Sequence, residues 1–122
     1  RAFSYVDDSV IPFWNASQNE KCIGEIINLG GIKEYSINDA CDTLINVTGQ
    51  NLKPLYLEAR HETKYAWSTW QKSSELINFE HKVDLHEGIT KMWTWAQKQP
   101  NRERYVWSNY ELNKGLYEYW KT

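Results

Sequence analysis

The chain has too few cysteines, and too little charge of one sign, for several common classes of small protein. Cys22 and Cys41 are its only cysteines, too few for a disulfide-stabilised secreted domain and without the paired spacing of a zinc site. The 14 Lys and Arg nearly balance the 16 Asp and Glu, so we expect no clustered basic face for a nucleic acid or a membrane surface. The sequence also lacks an apolar run near the roughly 20 residues of a spanning helix, and a recognisable leader. We therefore expect a soluble cytoplasmic protein with reduced cysteines, no nucleic-acid partner and no membrane partner.

Aromatic residues are abundant, with 7 Trp, 8 Tyr and 3 Phe among 122 residues. A chain of this length predicts one domain, 1–122, and large aromatic side chains can supply much of its core. Many of them lie in the segment 101–122, an aromatic-rich tail. Two interpretations of this tail stay open, a cover for the domain and an interaction surface for a sugar or a protein partner.

Short β-prone runs predict strands at four places in the chain. They are 2–6, 24–29, which ends at the glycine pair Gly30-Gly31, 35–37 and 54–57. Because these runs are short and helical patterns are more frequent, the sequence predicts a small mixed α+β domain, rich in helix, with a few short strands.

Helix signals occur at five places. A helix over 9–18 is expected, with its start delayed by Pro12. Capping-box patterns at Ser36–Asp39 and Ser68–Gln71 predict helices that end at Gly49 and near Ile77. Asp84 is expected to cap a helix that carries Leu85, Ile89, Met92, Trp93 and Ala96 on one face and ends by Pro100. A third capping box at Ser108 predicts a last helix through Trp120.

The residues show no catalytic or metal-binding pattern. Tyr110 with Lys114, and Tyr117 with Lys121, have the Tyr-x-x-x-Lys spacing of a dehydrogenase base, but a tail rich in Tyr and Lys produces it by chance. The three histidines lack metal-ligand spacing. We predict neither catalytic residues nor a metal site.

Five segments, in order, resemble the C-terminal part of extended short-chain dehydrogenase/reductases, the family of NAD-dependent nucleotide-sugar epimerases and dehydratases that includes UDP-glucose 4-epimerase. The first two, Arg1–Asp8 and Gly24–Gly30, are similar to the family's Arg-Asp-Phe-x-Tyr/His-Val-x-Asp and Gly-x-x-x-Asn-x-Gly segments. Tyr35-Ser36-Ile37 is similar to a helix start of the family. Arg60–Lys64 resembles its Arg-Pro-Gly-Asp/Glu turn with one residue missing, and Leu85–Ile89 its Leu-x-Glu-Gly-Leu segment.

The resemblance implies that the chain is the substrate-binding lobe of such an enzyme, detached from an N-terminal dinucleotide-binding domain. It implies a nucleotide-diphosphate sugar, expected to be a UDP-sugar, as ligand, with Arg1 and Arg60 at the diphosphate and Glu62 at the ribose. A guanidinium suits phosphate because its planar fork of donors matches the oxygens. For Arg60, Glu62 and Lys64 the alternative is a solvated charged loop, and for Arg1 a frayed terminus.

By the same resemblance, NAD is a cofactor of the parent enzyme and none is expected in this fragment, which alone would be inactive. The parent enzyme would move a hydride between the sugar and NAD. A lobe cut from its partner would also expose apolar surface, so we expect self-association, with a homodimer as one form. The alternative function is a non-enzymic carbohydrate-binding or protein-interaction module that uses the Trp-rich tail.

Overall fold

In the described part of the chain, four α-helices make up most of the regular structure. The computed structural model describes residues 1–59 and 62–102; its helices are α1 (Val6–Gln18), α2 (Ile37–Thr48), α3 (Gln71–Ile77) and α4 (Leu85–Ala96), with a short 3-10 helix at Glu20–Cys22. Helix α2 packs against α4, and α1 packs against α3. The predicted richness in helix is confirmed.

The predicted short strands are wrong for the described part of the chain, which holds a single antiparallel bridge, between Ala2 and Glu34, and no sheet. Val6 and Ile37 begin helices instead. Residues 24–29 and 54–57 are irregular, and Ile26 and Leu55 are 84% and 85% exposed. A strand needs a neighbour for its backbone hydrogen bonds, and these runs have none within the described ranges.

Helices α2 and α4 begin where their capping residues predict. Ser36 caps α2 in a reciprocal capping box with Asp39, and Gly49 ends this helix in the left-handed conformation, with φ of 65°. Asp84 caps α4 by accepting the backbone N–H of Glu87 at 2.9 Å. The helix ends at Ala96, four residues before Pro100.

Helices α1 and α3 differ from their predictions at their starts. Helix α1 begins at Val6 and contains Pro12 in its interior, so the expected delay by proline is wrong; acidic residues in the first turn, Asp7 and Asp8, favour this earlier start. The capping residue of α3 is Trp70, without a side-chain cap, so the predicted box at Ser68 does not form.

Two asparagines, one in α1 and one at its C-terminal cap, donate hydrogen bonds to the end of α3. Asn15 Nδ2 donates to the carbonyl of Ile77 at 2.9 Å, and Asn19 Nδ2 donates to that of Leu76 at 2.7 Å. The last carbonyls of a helix lack partners within the helix, and these amides supply them. Asn78 then leaves the helix with a φ of 55°.

The best-buried apolar side chains lie between α3 and α4. They are Ile77, Phe79, Val83 and Leu85. The carboxylate of Asp8 on α1 reaches this loop and accepts the backbone N–H groups of Lys82 and Val83, each at 3.0 Å. A buried carboxylate needs such partners, and here they tie α1 to the loop.

Several further sequence predictions concern single features. Both cysteines are free and half-buried. Within 1–59 and 62–102, no helix is long and apolar enough to cross a membrane. The helix predicted from Ser108, both Tyr-x-x-x-Lys pairs and the tail from residue 103 onward lie outside the described residues.

Candidate functional site

Arg1 is held by backbone pairing with Tyr35. The Arg1 backbone nitrogen donates to the Tyr35 carbonyl at 2.6 Å, and the Tyr35 N–H donates to the Arg1 carbonyl at 2.8 Å. This exchange is that of an antiparallel pair, and it adjoins the bridge between Ala2 and Glu34. Arg1 is therefore a paired, half-buried residue, and the interpretation of Arg1 as a frayed terminus is wrong.

The guanidinium of Arg1 reaches a second segment. Its Nη1 donates to the backbone carbonyl of Lys64 at 3.2 Å. Arg1 thereby joins the segment that precedes α2 to the segment 62–65, which contains the predicted ribose residue Glu62. A planar guanidinium with five donors can bind one carbonyl and still offer N–H groups on another edge to a phosphate.

A cleft of about 640 Å³ opens beside Arg1, and we call it the arginine cleft. Both described members of the predicted site, Arg1 and Glu62, line it. Its other lining residues are Glu34, Tyr35, Ser36, Ile37, Ala59, Thr63, Lys64 and Tyr65. Arg60 lies outside the described residues, so its predicted place at the diphosphate stays a prediction.

The first residues of α2 form one wall of the arginine cleft. The Ser36 N–H donates to Asp39 Oδ2 at 2.7 Å, and the Asp39 N–H donates to Ser36 Oγ at 2.9 Å. Hydrogen bonding from Ser36, by its side chain first and its backbone second, holds the pKa of Asp39 below its ordinary value. The start of a helix also favours a bound anion through its dipole and its unpaired N–H groups.

The charges of the arginine cleft are mixed. Arg1 and Lys64 supply two cations, and Glu34 and Glu62 supply two acids. Cations suit the oxygens of a diphosphate, whereas a carboxylate can accept from sugar hydroxyls. The cleft can therefore bind a ligand that carries both kinds of group.

A smaller aromatic cleft, of about 360 Å³, shares Glu34 and Tyr65 with the arginine cleft. We call it the tryptophan cleft, because Trp67 and Trp70 line it together with Ala2, Gly31, Ile32 and Ser68. The sequence motifs assign no function to the residues of the tryptophan cleft. The sequence feature that indicates this cleft is the close spacing of Tyr65, Trp67 and Trp70 directly after the predicted phosphate turn.

The described residues hold no group of three or more His, Cys, Asp or Glu side chains that could bind a metal ion. Gly30 and Gly31 do not have the surroundings of a dinucleotide-binding loop. A dinucleotide loop uses glycines to approach the pyrophosphate before a helix, but a Cβ at Gly31 would collide with the backbone of Phe3, and one at Gly30 would lie 2.8 Å from Ser68 Oγ. Both glycines thus serve internal packing.

Several known proteins that this chain is similar to are nucleotide-sugar epimerases. A UDP-glucuronate 4-epimerase of Thermodesulfobacterium geofontis is 32% identical over 101 residues, or 80% of this chain and 30% of that protein. A mutant UDP-glucuronic acid 4-epimerase from Bacillus cereus, solved with UDP-4-deoxy-4-fluoro-glucuronic acid and NAD, matches with a TM-score of 0.71 at 29% identity. This chain is related to the NAD-dependent nucleotide-sugar epimerases of the extended short-chain dehydrogenase/reductase family.

The relationship covers a part of each epimerase. The match to the mutant covers 80% of this chain and 32% of that one. The Bacillus cereus enzyme solved with NAD matches with a TM-score of 0.67 at 28% identity, over 80% and 30% of the two chains. The chain thus spans about a third of the length of these relatives. No protein-family model matches it, and the alternative of a non-enzymic module gains no support from these relatives.

Proposed function

We propose that this chain is the nucleotide-sugar-recognition portion of an NAD-dependent epimerase or dehydratase, and that the arginine cleft takes the diphosphate and ribose of a UDP-sugar. The observation that carries this proposal is that Arg1 and Glu62, 61 positions apart in the sequence, line one cleft at the start of α2. A solved relative binds UDP-4-deoxy-4-fluoro-glucuronic acid, which has the groups that this cleft suits.

The division of labour follows from the residues of the cleft. Arg1 binds and orients the diphosphate, the first turn of α2 adds a favourable dipole, and Glu62 accepts from the ribose. Arg60, next to this segment, is proposed as the second phosphate ligand. Holding the sugar in one orientation is itself a large contribution to catalysis, and it is the contribution that we assign to this portion.

NAD, which accepts and returns a hydride when bound, is assigned to a separate dinucleotide-binding portion. The packing role of Gly30 and Gly31 supports this assignment. The surface of α1 supports the presence of such a partner, because its apolar side chains are exposed on one side: Val6, Val10, Phe13 and Trp14 are each between 55% and 67% exposed. Helical spacing places these four in one stripe, and apolar surface of this kind is normally covered.

Calorimetric titration of the chain with UDP-glucuronic acid, and separately with NAD, tests this proposal. We expect saturable binding of the UDP-sugar, weakened by Arg1→Lys because an ammonium cannot reproduce the bidentate fork, and no measurable binding of NAD. Lys98→Arg, on the exposed segment after α4, is the control and should leave the affinity unchanged. Tight NAD binding, or UDP-sugar binding that Arg1→Lys does not alter, would contradict the proposal.

A further inference from the structure

His81 makes an unusual contact in the loop between α3 and α4. Its Nδ1 accepts the backbone N–H of Ile32 at 3.2 Å, although the two residues are 49 positions apart. Its Nε2 is buried and, among the described residues, has no hydrogen-bond partner. A ring nitrogen can accept only when it carries no proton, so the bond assigns a neutral ring with its proton on Nε2.

The residue that His81 holds belongs to the segment that places Arg1. Ile32 follows Gly31, which lies against the backbone of Phe3, and it precedes Glu34 and Tyr35, which pair with Ala2 and Arg1. The segment 31–35 is therefore fixed at one edge by the chain that carries Arg1. His81 supplies a side-chain hydrogen bond at the start of this segment.

The loop between α3 and α4 also forms hydrogen bonds with Asp8, at the far end of the segment that begins at Arg1. The N–H groups of Lys82 and Val83, directly after His81, donate to the Asp8 carboxylate at the start of α1. Residues 81–83 thus contact both the segment 31–35, which supplies Glu34 and Tyr35 to the arginine cleft, and the chain from Arg1 to Asp8. A change at His81 acts on the placement of Arg1 through these contacts.

We propose that His81 is a positioning residue for the arginine cleft, which holds the segment 31–35 in place while its ring is neutral and releases it when the ring is protonated. Protonation puts a second N–H opposite that of Ile32, and two donors cannot bond to each other. The expected consequence, which rests on the proposed function, is weaker binding of a nucleoside diphosphate at mildly acidic pH.

The charged groups around this loop do not supply a substitute partner for Ile32. Asp8 of α1 is engaged by two backbone N–H groups. Glu80 and Lys82, beside His81, form an ion pair of 2.9 Å with each other. On the facing segment, Lys33 lies over the ring of Tyr35 at 5.0 Å, and Glu34 lines the two clefts. The neutral ring of His81 is therefore the acceptor on which the Ile32 contact depends.

Amide hydrogen exchange of the chain at pH 7.5 and pH 5.5 tests the inference directly. Each rate is divided by that of an unstructured peptide at the same pH. We expect the protection of the Ile32 amide to fall about tenfold at the lower pH, because a proton on Nδ1 removes the acceptor of this N–H. The Gly49 amide, which bonds to the Ile45 carbonyl at the end of α2, is the internal control and should keep its protection. Equal protection of Ile32 at both pH values would overturn the inference.

Two variants distinguish the presence of a hydrogen-bond acceptor at position 81 from the protonation of that acceptor. His81→Asn offers an amide oxygen near the position of Nδ1 that does not titrate between pH 5 and 8, so Ile32 should stay protected at both pH values. His81→Leu removes the acceptor, so its protection should be low at both. A pH dependence that persists in His81→Asn would contradict the proposal, and circular dichroism checks that both variants fold.

UDP titrated into the same samples separates this inference from the proposed function. If both hold, the affinity of the native chain for UDP falls severalfold at pH 5.5, and that of His81→Asn changes less. If UDP does not bind at pH 7.5 while Ile32 still loses protection on acidification, the proposed function fails and the role of His81 in placing the segment stands. If UDP binds, but neither its affinity nor the protection of the Ile32 amide changes with pH, the proposed role of His81 is contradicted and the proposed function stands.

Discussion

Helices α2 and α4 and the irregular stretches 24–29 and 54–57 differ in how far their sequences determine their structure. The two helices carry their own caps, Ser36 and Asp84, and they pack against each other. The irregular stretches have apolar, β-prone sequences but no strand pairing within the described residues, and Ile26 and Leu55 are largely exposed. A helix satisfies most of its backbone within itself, whereas a strand depends on a neighbour. The comparison shows that the helical pair follows from local signals, whereas β-prone runs form no strand without a neighbour among the described residues.

The largest expected effect on stability concerns Gly31, where two backbone segments meet. Gly31→Ala places a Cβ against the backbone atoms of Phe3, which cannot rotate away, and we expect a loss of about 3 kcal/mol in the free energy of unfolding. The matched control is Gly24→Ala, which meets no atom within 4 Å but has a φ of 75° and should cost about 1 kcal/mol. Chemical denaturation of both variants measures the difference. Equal losses would show that the approach of Gly31 to Phe3 is not tight.

The next effect concerns ligand affinity. In the longer protein that we propose, Arg60→Lys should weaken binding of a UDP-sugar by about 1.5 to 3 kcal/mol, the range for a hydrogen bond to a charged group. Its melting temperature should barely change, because an arginine in a charged stretch of sequence is expected at the surface, where a substitution costs within about 0.5 kcal/mol. The dissociation constant and the melting temperature, measured at fixed salt, separate this outcome from the solvated-loop interpretation. Unchanged affinity would contradict the assignment of Arg60 as a phosphate ligand.

A smaller effect distinguishes a true cap from an apparent one. Ser36→Ala removes the acceptor for the Asp39 N–H and should lower stability by about 1 kcal/mol. Ser68→Ala should change stability by less than about 0.5 kcal/mol, because the residue at the cap of α3 is Trp70 and not Ser68. Thermal unfolding of the two variants provides the comparison. A Ser68→Ala loss as large as that of Ser36→Ala would mean that Ser68 stabilises the chain in another way.

The smallest effect is the pH dependence of α2. Because the folded state lowers the pKa of Asp39, the ionised carboxylate stabilises α2 above the ordinary Asp value, and this stability is lost as pH falls through the lowered value. Helix content followed by circular dichroism between pH 6 and 2 should therefore decrease. In Asp39→Asn, the part of the decrease that belongs to this residue should be absent. An identical acid transition in both proteins would exclude Asp39 as its source.

The helices could be predicted to the extent that their signals are local. Capping residues placed the starts of α2 and α4 correctly, because Ser36 and Asp84 act on N–H groups within three residues. The start of α1 has a local signal in its acidic first turn, but Asp8 there also bonds to Lys82 and Val83, which lie more than 70 positions away and which no local pattern indicates. The prediction of strands was wrong because a β-prone run does not indicate which other segment of the chain could pair with it.

The residues of the candidate site divide in the same way, into those that local motifs indicate and those that only the fold brings together. The resemblance of short motifs selected Arg1 and Glu62, and the structure brings both to one cleft. The backbone pairing of Arg1 with Tyr35 and the contact of His81 with Ile32 join residues 34 and 49 positions apart, and no local pattern indicates them. Sequence motifs thus identified cleft residues, while the contacts that place them required the fold.

The most direct test of the account is a map of where UDP binds on the isotope-labelled chain. If the arginine cleft is the nucleotide-sugar site, titration with UDP should shift the backbone amide resonances of Tyr35, Ser36, Ile37 and Lys64 along one saturable curve. The amides of Leu44 and Met92, which line an apolar groove between α2 and α4, should stay in place. Shifts confined to that groove, or no saturable shift at millimolar UDP, would contradict the account.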